Sequence, residues 1–142
     1  MTEVPPDDLR NPVDLAELVL VEAELDKRWP ETKIDPSLAR IAALMDLLGS
    51  PQRAYPAIHV AGTNGKTSVT RMIEALLRAL HRRTGRTTSP HLQLATERIA
   101  VDGAPITPAQ YVAAFRDIEP YVQMVDASSD VPMSKFEVLT AM

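Results

Sequence analysis

The sequence predicts an α/β fold organised around a phosphate-binding loop, with a parallel sheet, flanking helices and a small β-hairpin. Three adjacent stretches of chain predict it. Ala57-Ile58-His59-Val60-Ala61, set off by Pro56, is a short, mostly apolar run suited to a buried parallel strand. Gly62-Thr63-Asn64-Gly65-Lys66-Thr67 follows immediately. Val69, Met72, Ile73, Leu76, Leu77 and Leu80 then recur at helical spacing, closed by Gly85. Strand, glycine loop and helix in that order form the context that gives a phosphate loop its meaning.

Two amphipathic helices are expected before this core. Asn11-Pro12 reads as N-cap and first helical residue, with Asp14 and Glu17 near the positive end of the dipole. Leu18, Val21, Leu25 and Trp29 follow on one face, and Pro30 ends the run. Asp35-Pro36 starts the second helix, with Leu38, Ile41, Met45 and Leu48 on one face and Gly49 as its C-terminal cap. Residues 1–10 read as a disordered lead-in.

After the glycine loop and its helix, Arg86-Thr87-Thr88 is a second strand candidate, and 89–97 reads as an ordered loop. Residues 98–106 read as a hairpin around Asp102-Gly103, a strong turn pair. Thr107-Pro108 opens a helix with Tyr111, Phe115 and Ile118 on one side, bent or ended near Pro120. Residues 126–132 read as a polar loop. Ser134-Lys135-Phe136-Glu137 spells a capping box that opens a last helix.

Composition narrows the function classes. The chain has 142 residues, a net charge of -4 and no cysteine. An acidic balance points away from nucleic acid and from anionic membrane surfaces. The lack of cysteine excludes disulfides and thiolate metal sites. No apolar run is long enough to span a bilayer, and residues 1–10 lack the apolar stretch of a secretory signal. The expected setting is cytoplasmic, with no nucleic acid or membrane partner.

The loop carries the chemistry. Gly62 and Gly65 permit positive φ, so backbone N–H groups can face phosphate oxygens, and the next helix adds its positive end. Lys66 suits the β- and γ-phosphates, and the Thr67 hydroxyl suits Mg²⁺. The spelling departs from G-x-x-x-x-G-K-[ST], which would require glycine where Val60 stands.

That variant loop, Val60-Ala61-Gly62-Thr63-Asn64-Gly65-Lys66-Thr67-Ser68, resembles the loop of the Mur-ligase superfamily of ATP-dependent amide-bond ligases. Thr88-Ser89-Pro90-His91-Leu92, followed by Glu97-Arg98-Ile99, is similar to a second signature of the folylpolyglutamate synthase/dihydrofolate synthase family. The resemblance extends from Ile34 to Phe136-Glu137. It implies an ATP-dependent ligase that joins L-glutamate to dihydropteroate or to the glutamate tail of a folate through an acyl phosphate. ATP and Mg²⁺ are the implied cofactors, and relatives are commonly monomeric. The implied nucleotide contacts are Gly62, Thr63, Asn64, Gly65, Lys66, Thr67 and Ser68, with Lys66 catalytic. Thr67 and Ser89 are the implied metal-side hydroxyls. The implied pterin or folate contacts are Asp35, Pro90, His91, Ser134, Phe136 and Glu137.

Plainer roles stand beside these. Asp35 also serves as a helix start and Ser89 as a turn hydroxyl. Phe136 could stack on a pterin ring or fill core. His59 reads as a packed or capping residue, His81 as part of a solvated basic face with Arg78, Arg82 and Arg83. Glu97-Arg98 reads either as an ion pair ordering the loop or as surface charges.

The chain stops inside the helix opened by Ser134. Residues 11–142 are therefore expected to be the N-terminal part of the ATP-binding ligase domain, without its later strands and glutamate-binding domain. The family's remaining metal ligands would lie beyond Met142, so these residues alone are expected not to turn over. The alternatives are a Mur-type peptidoglycan ligase and a truncated, non-catalytic phosphate-binding module. Only two helices precede the loop, and the Ser89-Pro90-His91 stretch favours folate over the peptidoglycan ligases.

Overall fold

The computed structural model of the chain describes residues 10–30 and 37–142. They divide into two units, Met1–Pro56 with Pro108–Met142, and Ala57–Thr107. Most of the expected lead-in and the Asp35-Pro36 helix start lie outside the described residues.

The first unit is helical. In α1 (Pro12–Leu25) the Asn11 side chain accepts from the Val13 amide at 3.0 Å, and Leu18, Val21 and Leu25 are buried as their spacing predicts. The helix ends at Leu25 rather than at Pro30, because residues 26–28 tighten into a turn closed by Arg28 N–H on the Leu25 carbonyl. Trp29 then lies off the helix, its indole N–H donating to the Pro132 carbonyl at 2.7 Å.

Both α1 and α2 (Ala39–Leu47) pack on α4 (Pro108–Ser128), and α2 also packs on α5 (Lys135–Ala141). Tyr111, Phe115, Ile118, Val122 and Val125 form the buried stripe of α4, each contributing roughly 1.5–3 kcal/mol through burial. This stripe continues on both sides of Pro120, so the helix runs through the proline and takes in residues 126–128, which read as loop in the sequence. One lost N–H bond is outweighed by the packing on either side. Asp126 at the helix end accepts from Arg28 at 2.9 Å and from the Met133 amide at 2.7 Å, turning the chain back.

In α2 the inward residues are Arg40 and Leu44, whereas Leu38 is exposed, so the buried face is rotated from the expected one. Gly49 at φ +79° ends the helix as predicted, with Ser50 N–H on the Met45 carbonyl at 2.7 Å. Lys135 donates to Glu22 at 3.0 Å and to Asp26 at 2.6 Å, and the Tyr111 hydroxyl donates to Glu22. Burial alone would lower the Lys135 ammonium, but its bonds to Asp26 and Glu22 hold it above the ordinary lysine value.

The second unit contains α3 (Lys66–Ala79) and a three-stranded sheet in the order β1 (Gly85–Thr87), β2 (Ile99–Val101), β3 (Ala104–Pro105). Both pairings are antiparallel, with Arg86 opposite Ala100 and Val101 opposite Ala104. The hairpin turns at Asp102-Gly103 as predicted. Both residues have positive φ, +49° and +84°, which gives the mirror-image turn that matches strand twist. Asp102 also accepts from the Thr84 amide at 2.9 Å.

The sheet expected around residues 57–61 differs from the one observed. That segment has no strand partner among the described residues, and His59 is exposed rather than packed. An apolar run signals a capacity for burial, but a strand exists only where a neighbour supplies the ladder. The α3 stripe is likewise open: Val69, Met72, Leu76 and Leu80 are 45%, 64%, 68% and 69% exposed. His81 at φ +57°, not Gly85, closes this helix, with Arg82 N–H on the Leu77 carbonyl. Met72→Glu with Leu76→Glu should therefore change the unfolding free energy of this chain by no more than about 1 kcal/mol. A much larger loss in urea titration would mean the stripe is buried.

Candidate nucleotide-binding site

The phosphate loop is shaped by its two glycines. Gly62 has φ +148° and Gly65 has φ +76°, where a side chain would be strained, and Gly65 is the N-cap of α3. The helix thus begins at Lys66, with the free N–H groups of its first turn and their positive end at the loop. The Lys66 ammonium folds back over the loop, donating to the Gly62 carbonyl at 2.5 Å and the Thr63 carbonyl at 3.5 Å. Residues 61–69 are solvent-exposed, so the loop is open to a ligand. Thr70 donates to the Lys66 carbonyl at 2.8 Å, within the helix itself.

In the same unit, residues 89–97 are ordered by one carboxylate. Glu97 accepts from the amides of Leu92, Gln93 and Leu94, each at 2.9 Å. The Leu92 amide chiefly, then those of Leu94 and Gln93, holds this carboxyl below its ordinary value. Arg98 does not pair with Glu97 as one reading expected. Its Nε donates to His91 Nδ1 at 3.0 Å, and its carbonyl accepts from the Thr88 amide at 2.9 Å. Ser89 and Pro90 are exposed and His91 is half-buried, on a loop anchored at both ends.

A carboxyl with a lowered folded value contributes its loop-ordering fully above the unfolded value, and loses it as pH falls through the lower folded value. Acidification below the ordinary carboxylate range should therefore lower the exchange protection factors of the Leu92, Gln93 and Leu94 amides. Glu97→Gln should do so already at neutral pH. Unchanged exchange in that variant would show that another group orders the loop.

The remaining expected site residues lie in the helical unit. Ser134 accepts from the Glu137 amide at 3.1 Å, while Glu137 accepts from the Ser134 amide at 2.8 Å and hydroxyl at 2.9 Å, completing the predicted capping box. Both polar groups are thereby engaged. Phe136 is 48% exposed, so the core reading of this ring does not hold. Asp35 lies outside the described residues.

Sequence reasoning missed Arg40. Its Nε donates to both Glu137 oxygens, at 3.1 and 3.2 Å, and its guanidinium lies 5.3 Å from the Trp29 ring centroid. The available signal was a charged residue four positions from Leu44 on a buried face. It also missed the pair of Glu74 and Arg86, 2.8 Å apart with side chains 9% and 7% exposed. Among the described residues no cluster of three or more His, Asp or Glu could hold a metal ion, and no helix is long and apolar enough to cross a membrane.

A glycine loop, a helix that starts at its lysine and an exposed rim are the features expected of a phosphate-binding unit of the nucleotide-binding α/β class. No protein-family model matches the chain. It is 67% identical over 138 residues to the dihydrofolate synthase/folylpolyglutamate synthase of Mycobacterium tuberculosis, which covers 92% of this chain and 28% of that protein. The Bacillus subtilis protein of the same name is 36% identical over 108 residues, 76% of this chain and 25% of its own. Among solved structures, Mycobacterium tuberculosis folylpolyglutamate synthase complexed with ADP matches with a TM-score of 0.85 and 66% identity, over 90% of this chain and 28% of that one. Escherichia coli FolC in complex with DHPP and ADP matches with a TM-score of 0.70 and 31% identity, over 87% and 28%. The chain belongs to the folylpolyglutamate synthase/dihydrofolate synthase family and spans little more than a quarter of the length of these relatives. It shares the mixed α/β fold of those structures.

Proposed function

We propose that this chain supplies the phosphate grip and part of the pterin side of an ATP-dependent ligase, which adds L-glutamate to dihydropteroate or to the glutamate tail of a folate. The observation that carries this reading is the 62–67 loop, with Gly65 capping α3 and Lys66 on an open rim. Names of relatives, and ADP in their solved structures, support it. They are folate-linked synthases, which favours this activity over peptidoglycan ligation.

The chemistry follows from the weakness of a carboxylate as an electrophile. Its oxygen attacks the γ-phosphorus of ATP, the bond to the bridging oxygen breaks and ADP leaves. The glutamate amine then attacks the acyl carbon, loses a proton and expels phosphate. Gly62, Thr63, Asn64, Gly65 and Ser68 hold the phosphates through the loop and the start of α3, and Lys66 neutralises charge as it builds. Thr67 and Ser89 offer hard hydroxyl oxygens that fit Mg²⁺, which when bound shields the phosphate charge. Pro90 and His91 lie on the anchored loop of the second unit, as residues for the substrate. In the helical unit, taken by itself, Phe136 offers an exposed ring face suited to stacking. Ser134 and Glu137 hold each other, so their part is to position Phe136. Asp35 joins this group by resemblance.

Residues 11–142 are then one part of the ATP-binding ligase domain, in a protein that works as a cytoplasmic monomer. The test is ADP release by the protein containing this chain. It should require both dihydropteroate, or tetrahydrofolate, and L-glutamate. Release with neither, or with a UDP-linked peptide precursor instead, would sink the reading.

A further inference from the structure

We propose that the buried Glu74–Arg86 ion pair is the positioning element that sets the Ser89–His91 stretch against the phosphate loop; the proposal rests on the function argued above. Glu74 lies two turns into α3, the helix whose first residue is Lys66. Arg86 is central in β1, which ends two residues before Ser89. Their contact, Arg86 Nε to Glu74 Oε2 at 2.8 Å, joins these two elements inside one unit.

The pair continues as a chain of polar contacts toward the loop. Arg86 donates from its terminal nitrogen to the Thr88 hydroxyl at 3.3 Å. The Thr88 amide donates to the Arg98 carbonyl at 2.9 Å, and Arg98 donates to His91 at 3.0 Å. On the other side, the Thr84 hydroxyl donates to Glu74 at 3.5 Å. A glutamate on the buried side of α3 is costly unless paired, and apolar residues of similar volume would suit stability at least as well. What an apolar pair would not supply is directional register between helix and strand.

This separates positioning from stability. Glu74→Gln and Arg86→Gln each leave a buried group without its charged partner and should lower the melting temperature. Glu74→Leu with Arg86→Met removes both charges and should recover it. Positioning should not recover with it. The chain has no cysteine, so Ala75→Cys and Leu92→Cys, at exposed sites, can carry spin labels on α3 and on the loop. The label-to-label distance should be narrowly distributed in the otherwise native chain and broad or shifted in the E74L/R86M background. In parallel, the gain in ATP affinity on adding Mg²⁺ should shrink at least about tenfold in E74L/R86M.

An unchanged distance distribution would overturn the proposal, as would a recovered Mg²⁺ gain. If the native chain binds no ATP, the functional reading fails, and the distance measurement still decides whether the pair sets the loop.

Discussion

Lys66→Ala is expected to weaken Mg-ATP binding by about 2–5 kcal/mol, roughly 30- to several-thousand-fold in Kd, without destabilising the chain. The binding loss follows from removing the ammonium that the loop presents to the β- and γ-phosphates. The unchanged stability follows from the surroundings of Lys66. Its side chain is exposed and touches only loop carbonyls, those of Gly62 and Thr63, which water can satisfy after truncation. Lys66→Arg should fall between, since a planar fork replaces a point charge in a tight loop. Calorimetric titration and a melting curve on each variant check both halves. Loss of folding in K66A would make the lysine structural and remove the argument.

The second large effect lies in the helical unit. Arg40→Ala should cost about 3–5 kcal/mol, a large share of the 5–15 kcal/mol typical of a domain. The pair of Arg40 and Glu137 is nearly dry, with side chains 9% and 12% exposed, so truncation leaves a buried carboxylate without its cation. The damage spreads, because the same carboxylate caps α5 through Ser134. The stacking of Arg40 on Trp29 is lost as well. Arg40→Met with Glu137→Leu should cost less than R40A alone, the remainder being about 1 kcal/mol for the missing cap. Urea unfolding of the three chains distinguishes these values. A loss in R40A below about 1 kcal/mol would place the pair among ordinary surface bridges.

These two expectations also show where the sequence was readable. The glycine loop, the Asn11 cap, the Asp102-Gly103 turn and the Ser134–Glu137 capping box are local devices. Each is a fixed spacing whose hydrogen bonds close within a few residues, and each is found where its spelling put it. What failed depended on partners distant in sequence. Residues 57–61 have the pattern of a strand, yet a ladder is a property of two segments. Pro120 reads as a bend or an end of the helix, and the end is excluded only once the buried Ile118 and Val122 are seen to flank it. Arg40 meets Glu137 across 97 residues, and no periodicity announces that contact. The Glu97-Arg98 dipeptide reads as an ion pair or as surface charges, yet its two charges act on different partners, one on backbone amides and the other on His91.

The site was legible to a similar degree. The phosphate side is a contiguous motif, and its geometry follows from two glycines and a helix start. The residues expected on the pterin side are scattered along the sequence, and for the Ser134–Glu137 segment the structure changed the emphasis. Ser134 and Glu137 are committed to each other and to Arg40, which leaves Phe136 as the exposed group of that segment.

If the 62–67 loop is a working phosphate grip, calorimetric titration of the 142-residue chain with ATP in the presence of Mg²⁺ will show it. Saturable binding at a single site is expected, abolished or strongly weakened by K66A. No detectable binding by the native chain, or equal binding by K66A, would contradict it.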